Sequence, residues 1–249
     1  MRYKLGTKKW VEQNYGKLAF RDKMALIYQG VLARAKTKRD IKSGRKVHFM
    51  AVDKVLPPDS PICKEAMALS EISSKPYLFN HCMRAYFWAR LLNEGEKFDD
   101  EATFTAIMLH DLGLTDKYRL KGGQQQCFTL PAAQIAEEMA IKHHWSDKRA
   151  TMVADAITLH LNVTVNARHG REAELVRIGS GADVAGLGLN LLQATQIGKV
   201  VDKFPRLNFK QEINKDLGIE IAERPCCRIS FLHNRLNFGH YVRNARFSE

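Results

Sequence analysis

Adjacent histidine and aspartate residues end an apolar run in this chain, Ala106-Ile-Met-Leu-His110-Asp111. A carboxylate in such a place must be paired, hydrogen-bonded or bound to a metal ion, because an isolated buried charge is strongly disfavoured. Two other residues have the same character, since His81 interrupts an apolar stretch and Asp183 stands among small residues. Together the four side chains would supply two imidazoles and two carboxylates. This donor set suits a divalent cation and leaves coordination positions for water.

The elements that would position these side chains are predicted to be helices. Apolar residues recur at spacings of three and four, and alternating runs of the kind that strands need are few. Ser146 or Asp147 can cap one helix, and Pro131 can begin another. The pattern predicts an all-α bundle with helices over 78–92, 101–110, 131–144, 147–160 and 173–193, and further helical material over 204–248.

Positive charge is concentrated at the N-terminus. The chain has a net charge of +12, and residues 1–46 hold 14 Lys and Arg against three acids, whereas the rest is almost neutral. An apolar stripe at spacings of three and four predicts an amphipathic helix there; it consists of Phe20, Met24, Ile27, Val31 and Ala35. We expect the stripe to pack on the rest of the protein. The alternative is a phosphate-rich or membrane-surface partner bound by Lys36, Lys38, Arg39, Lys42, Arg45 and Lys46.

A proline-rich turn, Val55-Leu-Pro-Pro-Asp-Ser-Pro61, marks the expected boundary of this segment. It predicts a basic, partly helical extension at 1–54 and an all-helical domain at 55–249. No apolar run approaches the roughly 20 residues that span a bilayer, and lysines interrupt the N-terminus where a signal peptide is apolar. We therefore expect a soluble, cytoplasmic protein. The five cysteines lack a CxxC pair, which is typical of inert thiols.

The order of His81, His110-Asp111 and Asp183 resembles the H…HD…D pattern of the HD-domain superfamily of metal-dependent enzymes, whose fold is a helical bundle. Further segments resemble its cyanamide hydratase branch; they are 56–61, 78–84, 110–116, 155–160 and 181–186. The resemblance covers about residues 55–190 and leaves the basic extension unmatched. It implies that the four residues bind one divalent ion, with zinc expected first and iron or manganese as alternatives.

The same resemblance implies a reaction on a small molecule. A bound divalent ion lowers the pKa of water from about 15.7 towards 7, so hydroxide could add to a nitrile-like carbon, as when cyanamide becomes urea. The enzyme would then be a lyase (hydratase) or a hydrolase. His160 resembles a histidine that the hydratases keep near the metal, and we predict that it donates a proton to the substrate nitrogen. Thr115 and Asp116 follow the HD pair and are predicted, with His160, to be catalytic residues. Thr115 is predicted to orient the substrate.

Two residues beside His81 on its helix, Asn80 and Arg84, are predicted to orient the ligands through hydrogen bonds. We expect them to pair with Asp111 or Asp183.

Three alternatives stay open at this stage. Many HD enzymes cleave phosphate esters with help from an acidic or basic side chain just after the HD pair. Here Leu114 stands three positions beyond Asp111, and leucine can neither protonate a leaving group nor bind phosphate. A di-iron oxygenase would need two more histidines, which His143 and His160 could supply. The basic residues 1–46 could instead make the protein a non-enzymatic nucleic-acid or partner-binding module. Homo-oligomers are compatible with each of these hypotheses.

Overall fold

The computed structural model describes residues 3–121, 126–247 and 249, and the chain forms twelve α-helices within them. Four short 3-10 turns lie between them, and the described residues contain no strand. The all-α prediction is confirmed. The helices are α1 (Lys8–Asn14), α2 (Phe20–Ser43), α3 (Pro61–Ser73), α4 (Pro76–Leu91), α5 (Asp100–Leu109), α6 (Thr129–Lys142), α7 (Asp147–Leu159), α8 (Gly170–Ala185), α9 (Ala194–Lys203), α10 (Phe209–Glu223), α11 (Arg228–Arg235) and α12 (Phe238–Arg243).

The central helix is α4, which is buried on almost every side. A helix with that pattern belongs in the interior of a bundle, and α8 packs along it closely. Gly179 makes the approach possible, because a Cβ atom at this position would lie only 2.1 Å from the carbonyl oxygen of Ala85. This contact brings the side chain of His81 on α4 within hydrogen-bonding distance of Asp183 on α8.

A second close approach fixes the turn that follows α5. The 3-10 turn Leu112–Leu114 lies against the start of α6, and a Cβ atom at Gly113 would lie 1.8 Å from the carbonyl oxygen of Phe128. Any side chain at this position would push the turn away from α6. Gly113 therefore holds the segment that directly follows His110 and Asp111.

The predicted ends of α4, α5, α6 and α7 lie within two residues of the observed ones, whereas those of α8 do not. The cap on α7 is confirmed, since the Ser146 hydroxyl accepts from the backbone N–H of Arg149. Helix α6 begins two residues before Pro131, which still lies in the first turn where proline is tolerated. The prediction of one helix over 173–193 is wrong. Helix α8 ends at Ala185 because Gly186 adopts a left-handed conformation with φ of 71°, a common helix stop.

The C-terminal segment contains three helices, α10, α11 and α12, within the helical region predicted at 204–248. Its last predicted residue, Ser248, lies outside the described residues.

The N-terminal segment is helical as predicted, but its apolar stripe is not covered. Phe20 is 79% exposed and Val31 is 58% exposed, so the prediction that the stripe packs on the rest of the protein is wrong. Leu26 is buried instead. At about 100° per residue, it lies roughly 140° around the helix from the middle of the stripe. The boundary at residue 54 stays a prediction, and α1 buries Trp10 in the interior.

Within the described part of the chain, no helix is both long enough and apolar enough to cross a membrane.

Candidate metal centre

Three buried side chains converge where the C-terminus of α5 meets α4. They are His81, His110 and Asp111, and one potential ligand atom of each lies within 4.8 Å of the others. The two Nε2 atoms are 3.2 Å apart. Oδ2 of Asp111 lies 3.5 Å from Nε2 of His81 and 3.3 Å from Nε2 of His110. These three side chains could hold a metal ion.

The hydrogen bonds behind the two imidazoles fix which nitrogen is available. Nδ1 of His81 lies 2.8 Å from Oδ2 of Asp183, and Nδ1 of His110 lies 2.6 Å from the carbonyl oxygen of Ile107. A carboxylate and a carbonyl only accept, so each Nδ1 carries a proton. In the neutral rings both Nε2 lone pairs therefore face each other and Asp111. Three such acceptors repel unless a proton or a metal ion lies between them, and a divalent ion fits that donor set.

His110 and Asp111 each shift the pKa of the other. Burial acts to raise the pKa of Asp111, but the positive charge of His110 and the hydrogen bond from its imidazole hold it well below its usual range. Burial acts to lower the pKa of His110, but Asp111 raises it well above its usual value. A proton on His110 thus neutralises Asp111 in the absence of metal. Metal binding at these atoms would displace that proton.

Asp183, predicted as a fourth ligand, lies behind His81 rather than between the converging atoms. Arg84 donates to both of its oxygens, from Nε at 2.7 Å and from Nη2 at 2.9 Å. Trp88 Nε1 donates at 2.9 Å, and Nη1 of Arg206 lies 3.4 Å away. This arrangement keeps a carboxylate on the far nitrogen of His81, which orients the ring and fixes its tautomer. The role of Asp183 as a direct ligand stays a prediction.

Burial acts to raise the pKa of Asp183, but the charge of Arg84, with hydrogen bonds from His81 and Arg84, keeps it far below its usual value. The group is therefore a carboxylate in the folded protein.

Of the two residues predicted to orient ligands, Arg84 contacts one of its expected partners, Asp183. Asn80 does not contact either expected partner through a hydrogen bond described here; its side-chain amide donates to the carbonyl oxygen of Pro205 at 2.8 Å. That oxygen also accepts from Nη1 of Arg84 at 3.1 Å. Asn80 and Arg84 thus both hold the segment before α10 against α4.

Sequence reasoning missed three residues of this site: Trp88, Arg206 and Phe209. The ring of Phe209 stacks on His81 with centroids 4.9 Å apart and an angle of 22°. It also lies under the Arg206 guanidinium, 4.8 Å from the ring centroid. The sequence signal for two of them was Arg206 between apolar residues at 204–209. Nothing in that pattern connects the segment to His81, which lies more than 120 residues earlier.

His160 occupies the same local structure as His110. Each follows an Ala-Ile-x-Leu sequence, caps its helix and directs Nδ1 to the carbonyl oxygen of an isoleucine at 2.6 Å. The repeated sequence was visible before the fold was known. Nε2 of His160 lies 3.8 Å from Oδ1 of Asp111, and the rings of the two histidines meet edge to face at 4.8 Å. The structure thus brings His160 to the cluster.

Burial, reinforced by the positive charge of His110, lowers the pKa of His160 to about 3. A neutral ring with a proton on Nδ1 presents Nε2 as an acceptor. His160 must therefore gain a proton before it can act as the predicted donor.

The two residues predicted after the HD pair have different environments. Thr115 is buried, and its hydroxyl donates to the carbonyl oxygen of Leu112 at 2.7 Å. Asp116 is exposed. Both line a small cleft beside the segments that carry His81 and Asp111. The remaining cleft residues are Ser73, Lys75, Tyr77, Leu78, Leu114 and Asp216.

His143, which the di-iron alternative requires, contacts a different helix. Its Nε2 lies 2.7 Å from a carboxylate oxygen of Glu65 on α3. Among the described residues, the converging group of potential ligands contains His81, His110 and Asp111 but not His143.

Comparison with known proteins agrees with this geometry. A family model described as the HD domain matches residues 78–222, which is more than half of the chain and includes every residue of the cluster. No curated protein matches the chain significantly.

Proposed function

The chain belongs to the HD-domain family, whose members are in general metal-dependent hydrolases, and on that premise we propose that it is an enzyme that adds water to a small substrate. One observation carries the proposal. Two imidazole nitrogens and a carboxylate oxygen face one another in a buried position, with the far side of each imidazole held by an acceptor. Such preorganised acceptors are what a catalytic divalent ion requires.

We assign His81, His110 and Asp111 as metal ligands and Asp183 as the residue that positions His81. Zinc is the first expectation, with iron or manganese as alternatives, because the donors suit all three ions. When bound, such an ion would bring the pKa of water close to neutrality and so supply a hydroxide nucleophile. The buried stack of Phe209 on His81 limits access of bulk water from that side.

His160 would transfer the proton. Its Nε2 lies beside Asp111 and can accept a proton from the attacking water as the oxygen bonds to carbon. In the hydration of a nitrile-like substrate, the electron pair of the broken C–N π bond moves to nitrogen, which then takes that proton. The imidazole acts first as base and then as acid. With this order of steps, His160 can be the proposed proton donor even though its imidazole is neutral before the reaction.

A small neutral C–N substrate is the class that these surroundings favour. The two guanidiniums on the His81 side, Arg84 and Arg206, both bond to Asp183 and are buried. Neither lines the cleft, so neither is placed to bind a substrate phosphate there. Leu114, next in the chain to Thr115, adds an apolar wall to the cleft. We propose conversion of cyanamide to urea as the first reaction to assay.

Phosphomonoester hydrolysis is the second candidate, favoured by the HD family and by one residue of the cleft. Lys75 lines the cleft opposite Thr115, is exposed, and takes part in no ion pair among the described residues. A lysine in that position could neutralise a substrate phosphate.

The test is metal analysis of the purified protein together with urea release from cyanamide. The wild type should hold about one equivalent of a divalent ion and form urea only when loaded, as expected for a single catalytic site. His110→Ala should lose both properties, and His240→Ala, an exposed histidine on α12, should keep them. A protein that binds no metal would contradict the whole proposal. A loaded protein that cleaves p-nitrophenyl phosphate but not cyanamide would contradict the substrate class alone.

A further inference from the structure

Helix α2 presents a long outward face on which apolar residues are exposed. The apolar zone, as we call it, is the N-terminal part of this face, and its members are exposed by between 37% and 79% of their surface: Phe20, Met24, Ile27, Tyr28, Val31 and Leu32. Contiguous exposed apolar side chains on a folded protein usually mark an interaction site. Other contacts set which side of α2 faces the rest of the protein.

A basic zone continues the same face towards the C-terminus of α2. At about 100° per residue, Lys38 and Lys42 fall in line with Phe20, Met24 and Val31, and Arg39 lies at the edge. All three cations are exposed. The whole helix contains seven Lys and Arg against two Asp. The face is therefore apolar in one half and cationic in the other.

Contacts with the rest of the protein fix the orientation of α2. Leu26 is buried, and Gln29 accepts from the backbone N–H of Thr164 at 3.4 Å. Beyond the helix, Arg45 forms an ion pair with Glu94. Lys46 donates to the backbone carbonyls of Asn190 and Leu192, at 2.8 and 2.9 Å. These contacts occupy the inner side and the C-terminal end, so the apolar and basic zones face outward together.

We propose that this face docks the protein on an anionic lipid surface. A helix with exposed aliphatic and aromatic residues and several Lys or Arg lies in the membrane interface, where the apolar side chains enter the acyl boundary and the cations reach headgroup phosphates. Both chemistries are present on one face of α2. Since no described helix could cross the membrane, the association would be peripheral.

Two other occupants explain only half of the face. A nucleic acid would satisfy the cations, but aliphatic side chains such as Ile27, Val31 and Leu32 gain nothing from a phosphate backbone. A second copy of the chain could cover the apolar zone, but it would add equally basic helices near one another. An anionic membrane complements both zones at once. The proposal is independent of the catalytic function, because α2 contributes none of the converging ligands.

Vesicle co-sedimentation of the full-length protein tests the docking. We expect binding to vesicles of phosphatidylcholine and phosphatidylserine in equal amounts, and much weaker binding to phosphatidylcholine alone. Each Lys or Arg near an anionic surface strengthens binding by about fivefold, so the triple variant Lys38→Gln, Arg39→Gln, Lys42→Gln should bind about a hundredfold more weakly. The triple variant Ile27→Gln, Val31→Gln, Leu32→Gln should lose binding even though its charge is unchanged.

Matched controls separate the face from general charge and general hydrophobicity. Ile72→Gln removes an apolar side chain that is 78% exposed on α3, and should leave vesicle binding unchanged. Replacement of three exposed lysines elsewhere, Lys64, Lys97 and Lys148, by glutamine lowers net charge equally and should weaken binding much less. Circular dichroism checks that each variant keeps its helices.

Three results would overturn the proposal. Binding that is equal on neutral and anionic vesicles, or absent from both, contradicts an anionic lipid target. Tight binding to duplex DNA or RNA that survives the apolar triple substitution assigns the face to nucleic acid. A dimer in solution that dissociates in the apolar triple variant, together with failure to bind vesicles, assigns it to a second copy of the chain.

Discussion

The end of α5 and the end of α7 have nearly the same local structure but opposite electrostatics. His110 and His160 follow the same Ala-Ile-x-Leu sequence, share φ of −58°, and make the same Nδ1 hydrogen bond at 2.6 Å. The next residue differs, since Asp111 follows the first and Leu161 follows the second. The pKa of His110 is raised well above its usual value, mainly through Asp111 acting against burial, whereas burial lowers the pKa of His160 to about 3.

This difference shows how one helix end can serve two chemical purposes. The backbone and the Nδ1 hydrogen bond fix the direction of Nε2 in both places. In the proposed function, His110 and Asp111 at the end of α5 are metal ligands, whereas His160 at the end of α7 is a base whose Nε2 lies 3.8 Å from Asp111.

Asp111→Asn should have the largest effect, because it removes the feature that distinguishes the two helix ends. The amide keeps the shape but loses the charge that attracts a cation, so bound metal should fall to background and activity should be abolished. Metal analysis and urea release from cyanamide measure both. Asp59→Asn is the control, since Asp59 is exposed and belongs neither to the converging cluster nor to the cleft. Full metal content in Asp111→Asn would show that Asp111 is not a ligand.

His160→Gln should have the next largest effect and should separate the two histidines by function. Loss of a general base or acid typically lowers a rate by about 10²–10⁴-fold, so kcat should fall by that factor while metal content stays intact. His110→Gln should lose the metal itself. If His160→Gln also loses metal, both histidines are ligands and the proposed difference in function between them is wrong.

His143→Gln should leave kcat and metal content unchanged. A large loss of either would favour the di-iron alternative.

The ligand candidates were predictable from the sequence, but the residues that contact them from other helices were not. His81, His110 and Asp111 were recognisable because charged or ionisable groups in apolar helices need partners. The all-α fold was predictable from the spacing of apolar residues at three and four positions. Arg206 and Phe209 were missed, since their contact with His81 depends on how α10 folds back over α4, and no local pattern encodes that path.

Helix α2 shows the corresponding limit at the surface. Periodicity placed Phe20, Ile27 and Val31 on one face of a helix, and that much agrees with the structure. It could not tell which side of the helix turns inward. The single buried leucine, Leu26, and the ion pair of Arg45 with Glu94 decide the orientation, and both depend on tertiary contacts that spacing does not reveal.

Asp183→Asn should have the smallest effect on the centre if, as we propose, Asp183 positions His81 and is not itself a ligand. The loss of a group that orients a ligand typically lowers metal affinity by about 10–100-fold. The free energy of unfolding should fall by about 3–5 kcal/mol, because the substitution leaves the buried guanidiniums of Arg84 and Arg206 without their carboxylate. Urea denaturation and competitive metal titration measure the two effects separately. Asp59→Asn, at an exposed aspartate, is the control.

The pH dependence of this substitution has a definite sign. The pKa of Asp183 in the folded protein lies far below that of an unfolded aspartate, about 3.9, so its contribution is fully present above that value and is lost as the pH falls through the folded pKa. The stability difference between wild type and Asp183→Asn should therefore be constant near neutral pH and narrow only in acid. A difference that instead narrows between pH 6 and 8 would contradict the assignment of this stabilisation to the Asp183 carboxylate. Loss of more than about 100-fold in metal affinity would exceed the effect expected of an orienting group and would make Asp183 a ligand in its own right.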